Sequence, residues 1–236
     1  MLNPAEGEIF CVDKPLGWTS FDVVKRVRHV LSRRMGVKKL KVGHAGTLDP
    51  LATGVMILAT GRCTKRIEEL QSHTKEYVAT LRLGATTPSF DLETEIDCER
   101  PWEHISLADV EAVLPMIVGR ISQVPPAYSA CKVDGKRAYK MARKGKEVSI
   151  RPKELLIESI ELLPSELPEV AIRVVCGKGT YIRALARDIG ERLGCGAHLT
   201  ALRRTKVGDI AVGQCETAER LLERLRTEEL AMIAEE

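Results

Sequence analysis

The order of apolar patterns along the chain is the feature that most constrains its fold. An opening strand is predicted over 7–14, further strands are predicted over 55–59, 77–83, 154–163 and 170–176, and helices over 19–35, 64–71, 106–118, 180–193 and 216–233. These segments follow one another without the strict strand–helix–strand alternation that builds a parallel sheet. The order therefore predicts the α+β class, and 236 residues are enough to bury a sizeable core.

Composition and cysteine usage narrow the class of protein. The chain has no run of eighteen apolar residues and no signal-peptide pattern, which predicts a cytoplasmic protein that does not enter a membrane. Its seven cysteines are scattered, without a Cys-x-x-Cys pair, so a reducing compartment is predicted rather than a disulfide framework. Cys195 and His198 form one metal-like fragment, but structural zinc needs four ligands. We therefore predict a buried thiol, an ordinary histidine and no metal site.

Positive charge is concentrated in two segments. Residues 216–236 carry seven glutamates and three arginines, a balance of −4 that leaves +7 on the first 215 residues. Eight Lys or Arg residues and no acid lie between Val23 and Leu48, and nine lie between Lys132 and Lys153 beside two acids. Single charge runs are usually solvated faces, but two such runs interleaved with tyrosines and glycines favour a surface that contacts phosphates.

Residues 43–54, Gly-His-Ala-Gly-Thr-Leu-Asp-Pro-Leu-Ala-Thr-Gly, have the composition of a functional loop. Small residues allow a ligand to approach the backbone closely, and Pro50 biases Asp49 towards an extended conformation. Spacing alone leaves two interpretations open. Asp49 is either a catalytic carboxylate or the side chain of an Asx turn that bonds its own backbone.

A second candidate segment is Cys176-Gly-Lys-Gly-Thr-Tyr-Ile-Arg183, where a predicted strand runs through glycines into a helix. The dinucleotide-binding pattern fails here because Ile182 occupies the position of its third glycine. Arg183 lies one turn into the helix. Its pattern fits either a buried partner for a carboxylate or a solvated side chain.

Taken together, these motifs resemble the bacterial tRNA pseudouridine-55 synthases of the TruB family. The twelve-residue loop 43–54 is similar to the active-site loop of that family. The resemblance covers about residues 7–210 and is carried further by five other segments, namely Lys14–Ser20, Lys75–Asp91, Pro125–Tyr139, Lys178–Arg183 and Leu199–Thr205.

The resemblance implies a role for each matching residue. Asp49 would start cleavage of the base–sugar bond, by attacking the sugar or by removing a ribose proton, and Arg183 would pair with it and lower its pKa. Tyr77 would stack on the target base and help to remove the C5 proton. His44 would fill the space that the flipped nucleotide leaves, and Tyr181 and Leu202 would line the uracil pocket.

The resemblance also implies a fold, a partner and a domain plan. The fold would be the pseudouridine-synthase fold, a mostly antiparallel mixed sheet flanked by helices, with a basic thumb-like insertion at about 125–153. Four residues of the insertion would contact the RNA backbone, namely Lys132, Lys136, Arg137 and Lys140. The implied partner is the tRNA T stem-loop, bound by a monomer without a cofactor, a metal or an obligatory protein partner.

The C-terminal segment departs from the pattern of many family members. Those continue into an RNA-binding PUA domain, whereas only residues 211–236 follow Ile210 here. We therefore expect a short form, with a catalytic domain over 1–215 and an acidic helical tail over 216–236, and no guide-RNA role. Two alternatives to the isomerase stay open. One is a catalytically silent tRNA chaperone or scaffold, and the other is a glycoside-cleaving enzyme that would use Asp91 as its second acid.

Overall fold

The computed structural model describes residues 2–133, 135–146 and 148–230. The chain divides into two compact units, unit 1 (Met1–Lys75 and Arg203–Glu236) and unit 2 (Glu76–Leu202). The helices and strands are, in chain order, β1 (Ile9–Lys14), α1 (Ser20–Arg34), β2 (Val42–His44), β3 (Ala52–Thr60), α2 (Ile67–Ser72), β4 (Lys75–Leu83), β5 (Ala85–Thr86), β6 (Cys98–Glu99), α3 (Leu107–Val113), β7 (Gly119–Gln123), β8 (Lys132–Val133), β9 (Lys136–Arg137), α4 (Ala138–Ala142), β10 (Lys153–Leu162), β11 (Glu169–Cys176), α5 (Ile182–Leu193), β12 (Ala197–Val207), β13 (Ile210–Ala211), β14 (Glu216–Thr217) and α6 (Ala218–Thr227).

Unit 1 is built around β1. Strand β3 runs antiparallel to β1, and β14 pairs with the other edge of β1 in parallel. Successive side chains of a strand point to opposite faces. On one face, Phe10 and Val12 pack with Met56, Leu58 and the apolar sides of α1 and α6. On the other face, Val55 and Ile57 pack with residues that include Ala45 from the 43–54 loop. The loop is thus anchored in the core.

Unit 2 is also a sheet with helices. Its strands lie in the order β12-β4-β11-β10-β7, with β10 antiparallel to both of its neighbours. Strand β11 buries alternate residues, as expected for a strand with one face covered by helices. Helix α5 buries Leu185, Ala186 and Ile189 and contacts α3. Sheets flanked by helices in both units confirm the predicted α+β class.

Capping residues in the sequence mark the starts of two helices. Thr19 and Asp22 form a capping box at the start of α1, and Ser106 and Asp109 form one at α3. The predicted helix 64–71 instead begins as a 3-10 turn over Gly61–Arg66 and becomes α-helical only from Ile67. Strand β12, eleven residues long, had not been predicted. Its sequence mixes arginines and threonines with apolar residues and has no clean two-residue period.

The C-terminal segment is packed into unit 1 as far as the structure describes it. Glu216–Thr217 forms β14 on β1, and α6 buries Leu221, Leu222 and Leu225 against the α1 side of the core. The predicted helix 216–233 is therefore a short strand followed by a helix that ends at Thr227, and residues 231–233 lie outside the described residues. The apolar stripe of α6 is therefore part of the core of unit 1, and the division at 215 stays a prediction.

The basic insertion lies between β7 and β10. It contains the short hairpin β8–β9, followed by α4. Backbone hydrogen bonds from Ala138 to Cys131 and from Tyr139 to Ser129 tie the start of α4 to the chain before the hairpin. The insertion therefore has its own local structure rather than being an open loop.

Candidate active site

The loop that carries Asp49 is clamped to the start of α1. The buried hydroxyl of Ser20 donates to the Leu48 carbonyl at 2.9 Å and accepts from the Leu48 amide at 2.8 Å. Leu48 itself is buried, whereas Asp49 is half-buried. The clamp fixes the backbone of the residue next to the carboxylate, so Asp49 has a defined position at the edge of the core.

Lys14 is a second anchor of this loop. Its ammonium group is fully buried and donates to the carbonyls of Pro15 and Trp18 at 2.7 and 2.6 Å, with the Pro50 carbonyl at 3.5 Å. A buried cation must be satisfied in this way, because its transfer from water is otherwise very costly. Burial lowers the pKa of Lys14 to about 8, and the charge of Asp49 partly opposes that shift. A positive charge therefore lies close to the predicted catalytic carboxylate.

Arg204 supports the loop from within the core of unit 1. Its buried guanidinium donates to the Val55 carbonyl at 2.7 Å and to the Gly46 carbonyl at 3.3 Å. Gly54 has a positive φ of 107°, and a Cβ there would lie 2.1 Å from the Arg204 carbonyl oxygen. Only glycine fits this close approach, which explains the last glycine of the motif.

His44 lies at the end of β2, where the loop begins. Its ring is half-buried, and within the described part of the chain its buried Nδ1 has no hydrogen-bond partner. Burial lowers the pKa of His44, with smaller contributions from the Gly46 backbone, which raises it, and from Arg204, which lowers it. The imidazole is therefore neutral at neutral pH and presents an aromatic surface rather than a charge.

Arg183 is held in unit 2 by a buried polar cluster. One guanidinium nitrogen donates to the Ser89 carbonyl and another to the Tyr128 carbonyl, both at 3.0 Å, and Nε lies 3.5 Å from a carboxylate oxygen of Asp91. Both charged side chains are almost completely buried. Asp91 thus serves as a structural counter-ion for Arg183, and this use argues against Asp91 as the free second acid of a glycoside-cleaving enzyme.

The turn that carries Asp91 is strained. Phe90 is a non-glycine residue with a positive φ of 62°, which costs about 1–3 kcal/mol unless its surroundings impose it. Its carbonyl accepts from the Leu199 amide at 2.9 Å, and Arg187 lies 5.0 Å above its ring. These contacts hold the turn, and with it Asp91, against Arg183.

The other predicted pocket residues of unit 2 lie on three elements. Tyr181 is the N-cap of α5, and its backbone is held at both ends by the buried side-chain amide of Gln123 at 2.9 and 3.2 Å. Tyr77 lies buried on β4, and Leu202 lies half-buried on β12. The pairing of Asp49 with Arg183 stays a prediction, as do the pocket roles of these residues.

The four basic residues predicted to contact the RNA backbone are all exposed, namely Lys132, Lys136, Arg137 and Lys140. Arg143, nearby in the same insertion, forms an ion pair with Glu93 and lies over the ring of Tyr139. Within the insertion, Arg143 is therefore used in packing, whereas the other four basic side chains face solvent.

The buried thiol predicted at Cys195 is confirmed, and His198 has a backbone partner. Cys195 is buried, and His198 Nδ1 lies 2.8 Å from the Ala85 carbonyl. Among residues 2–133, 135–146 and 148–230, no group of three or more His, Cys, Asp or Glu side chains is placed to hold a metal ion. Within the same residues, no helix is both long and apolar enough to cross a membrane.

Several residues of the site had not been assigned a role from the sequence. They are Lys14, Ser20, Gln123 and Arg204, together with Asp91 in its role as the partner of Arg183. Lysine and arginine are mostly exposed in proteins, so nothing in the local sequence marks Lys14 or Arg204 as buried. Only the positions of Lys14 and Arg204 inside segments that resemble family motifs could have indicated a role for them.

Two models of known protein families match this chain. A model of the TruB family pseudouridylate synthase N-terminal domain matches residues 32–182, and a model of the tRNA pseudouridylate synthase B C-terminal domain matches residues 183–233. The second match includes the segments that form β14 and α6.

Full-length relatives and solved structures agree with the family models. The chain is 61% identical over 235 residues to a tRNA pseudouridine synthase B of Phocaeicola vulgatus, covering 100% of both chains. It is 50% identical to one of Flavobacterium johnsoniae, covering 88% of this chain and 91% of the relative. A Cbf5-Nop10-Gar1 complex contains a chain with a TM-score of 0.69 and 29% identity, covering 94% of this chain and 55% of that one.

A chain in an H/ACA RNP bound to a substrate RNA containing 2'-deoxyuridine gives a TM-score of 0.67 and 28% identity, covering 93% of this chain and 53% of that one. The protein thus spans about half the length of the solved chains it matches. These likenesses confirm the pseudouridine-synthase fold. With a family model over 151 residues and relatives matched from end to end, the chain belongs to the TruB family of pseudouridylate synthases.

Proposed function

We propose that this enzyme isomerises uridine 55 in the T loop of tRNA to pseudouridine, with Asp49 as the catalytic carboxylate. The observation that carries the proposal is the anchored loop 43–54, in which Ser20, Lys14 and Arg204 fix the backbone around Asp49. An enzyme needs such a preorganised carboxylate because small displacements of a reacting group reduce the rate strongly.

The reaction conserves all atoms of the nucleotide. The bond between uracil N1 and the ribose C1′ breaks, the uracil turns, and a bond forms between C5 and C1′. The proton lost from C5 is balanced by the proton gained at N1. Asp49 would start the cleavage, Arg183 would pair with the carboxylate, and Tyr77 would stack on the base and assist removal of the C5 proton. Tyr181 and Leu202 would line the pocket.

His44 would replace the flipped nucleotide in the base stack. Extrusion of a nucleotide costs a few kcal/mol of stacking, and an aromatic side chain in the vacated space lowers that cost. The neutral imidazole described above suits this role, because a flat uncharged ring substitutes for a base without the cost of burying a charge.

The names of the relatives and the exposed cations of the basic insertion support tRNA as the substrate. Relatives over the full length are named tRNA pseudouridine synthase B, and the exposed cations of 125–153 would hold the phosphates of the T stem. We infer a monomer that acts on tRNA in the cytoplasm without a cofactor, a metal or an obligatory protein partner.

The test is a tritium-release assay on a T-arm hairpin transcribed with uridine labelled at C5. Isomerisation replaces the C5 hydrogen, so released tritium counts converted nucleotides. The wild type should release label from a hairpin with uridine 55 and none from a hairpin with cytidine there. Asp49→Asn, which keeps the shape of the side chain, should release none. The exposed Asp209→Asn variant serves as the matched control and should match the wild type. Conversion by Asp49→Asn would refute the assigned role, and binding without conversion by the wild type would favour the chaperone.

A further inference from the structure

Much of the basic run between Val23 and Leu48 lines a surface groove. This groove has no role in the proposed chemistry. The groove of about 980 Å³ lies on the solvent side of α1 and reaches the turn at 36–38 and part of α6. Its basic residues are Lys25, Arg26, Arg28, His29, Arg33, Lys38 and Arg226, and its one acid is Asp22. The side chain of Asp22 is already committed to the capping box with Thr19.

Three of the basic residues that line the groove lie along one face of α1. Lys25, His29 and Arg33 repeat every four residues, which places them along one stripe of α1 opposite the buried Val23, Val27 and Leu31. Lys25, Arg33, Lys38 and Arg226 are exposed, and among the described residues none of the four forms an ion pair. A row of unpaired cations is electrostatically costly unless an anion approaches it.

Helix α1, which carries the stripe, begins at the catalytic loop. Ser20, the first residue of α1, holds Leu48 through two hydrogen bonds, and the Gly17 amide donates to the Pro50 carbonyl at 2.8 Å. From Ser20 to Arg33 the helix extends by about 20 Å, enough for several consecutive phosphates of one strand. An RNA bound at Asp49 would therefore meet the start of α1, the helix that lines the groove.

Aromatic side chains lie at the same end. Phe21 is 62% exposed although it is a large apolar residue, and Arg26 stacks on the half-buried Trp18 at 4.1 Å. Exposed aromatics beside cations are typical of nucleic-acid surfaces, since every base can stack on them. An acidic protein or an anionic lipid would use the cations but would have no use for a stacking ring next to the catalytic loop.

We propose that the α1 groove is a second RNA-binding surface, which holds the sugar–phosphate backbone of the substrate as it leaves the Asp49 loop, separately from the basic insertion. The proposal rests on the proposed function only in taking the substrate to be tRNA. The surface would supply electrostatic affinity without sequence preference, because its cations are suited to phosphates rather than to base edges.

The test measures the salt dependence of tRNA and T-arm hairpin binding for the full chain. Lys25→Gln, Arg33→Gln and Lys38→Gln together should raise the Kd about tenfold or more and reduce the slope of log Kd against log salt by about 2 to 3, one step for each lost phosphate contact. A charge-conserving set (Lys25→Arg, Arg33→Lys, Lys38→Arg) should keep the wild-type slope, which separates loss of charge from disturbed folding.

A location control removes the same number of charges elsewhere in unit 1. Lys41→Gln, Lys65→Gln and Arg220→Gln together change three exposed cations that do not line the groove, and should change the slope by less than one. Equal slopes for the groove and location sets would overturn the proposal. Failure of the wild type to release tritium would instead overturn the proposed isomerisation, since the binding slopes are measured without catalysis.

Discussion

Ser20 and Leu48 are 28 residues apart in the chain, yet one hydroxyl satisfies both backbone groups of Leu48 at 2.8 and 2.9 Å. The contact joins the first residue of α1 to the residue before Asp49 and is completely buried. Two motifs that are distant in the sequence are thus held together by one pair of hydrogen bonds.

Ser20→Ala should therefore damage both stability and catalysis. The Leu48 amide and carbonyl would be left buried without partners, at a cost of about 1–3 kcal/mol in the free energy of unfolding. Urea denaturation should show this loss, and the single-turnover rate should fall more than tRNA affinity. Ser32→Ala, in the same helix and without a side-chain hydrogen bond among the described residues, is the control. A wild-type rate in Ser20→Ala would show that the clamp does not position Asp49.

Lys14→Met should loosen the 15–18 turn, although the Gly17 amide still donates to the Pro50 carbonyl. The Pro15 and Trp18 carbonyls would lose the ammonium donor, so we expect a lower rate of conversion with little change in tRNA affinity. The variant also tests the pKa of about 8. Between that value and the ordinary 10.5, the unfolded chain binds more protons than the folded one, so wild-type stability should rise with pH relative to Lys14→Met. A parallel pH profile for both proteins would contradict the lowered pKa.

Arg183 and Asp91 should show strong coupling in a double-mutant cycle. Arg183→Met leaves the Asp91 carboxylate buried without its counter-ion, which should cost about 3–5 kcal/mol in unfolding free energy. Asp91→Asn in the same chain should recover part of that loss. Arg192→Met, at an exposed position of the same helix, should be nearly neutral. Additive effects of the two changes would mean that the 3.5 Å contact carries no energy.

His44 should act as a neutral aromatic ring. His44→Phe should keep much of the conversion rate, whereas His44→Ala should lose it, because only the former fills the space of a flipped nucleotide. Burial places the pKa of His44 below its ordinary 6.5, so on acidification the unfolded chain takes up the proton first and the wild type loses stability. His44→Phe should lack that component. A larger rate loss in His44→Phe than in His44→Ala would refute the stacking role.

The insertion should supply its own share of electrostatic affinity. Lys136→Gln, Arg137→Gln and Lys140→Gln together should weaken T-arm binding and reduce the salt slope by about 2 to 3. Lys136→Arg, Arg137→Lys and Lys140→Arg together keep the charge and should keep the slope. An unchanged slope in the neutralised set would mean that these exposed side chains do not touch phosphate.

The sequence by itself determined the parts of this protein that depend on near neighbours. The capping boxes at Thr19 and Ser106, the helical stripe of α1 and the glycine-rich loop are written in residues within a few positions of one another. The family motifs added the candidate roles of Asp49, Tyr77 and Arg183, which periodicity left open.

Only the tertiary structure decided which charges are buried and what they hold. Lys14 and Arg204 look like ordinary surface cations in the sequence, yet both are buried beneath the Asp49 loop, and Arg204 reaches it from about 150 positions away in the chain. Asp91 looked like a spare acid and is the counter-ion of Arg183. A buried charge requires partners that the chain brings together only by folding, so no local pattern predicts them. Contacts between residues that are distant in the chain therefore fix the positions of the motif residues.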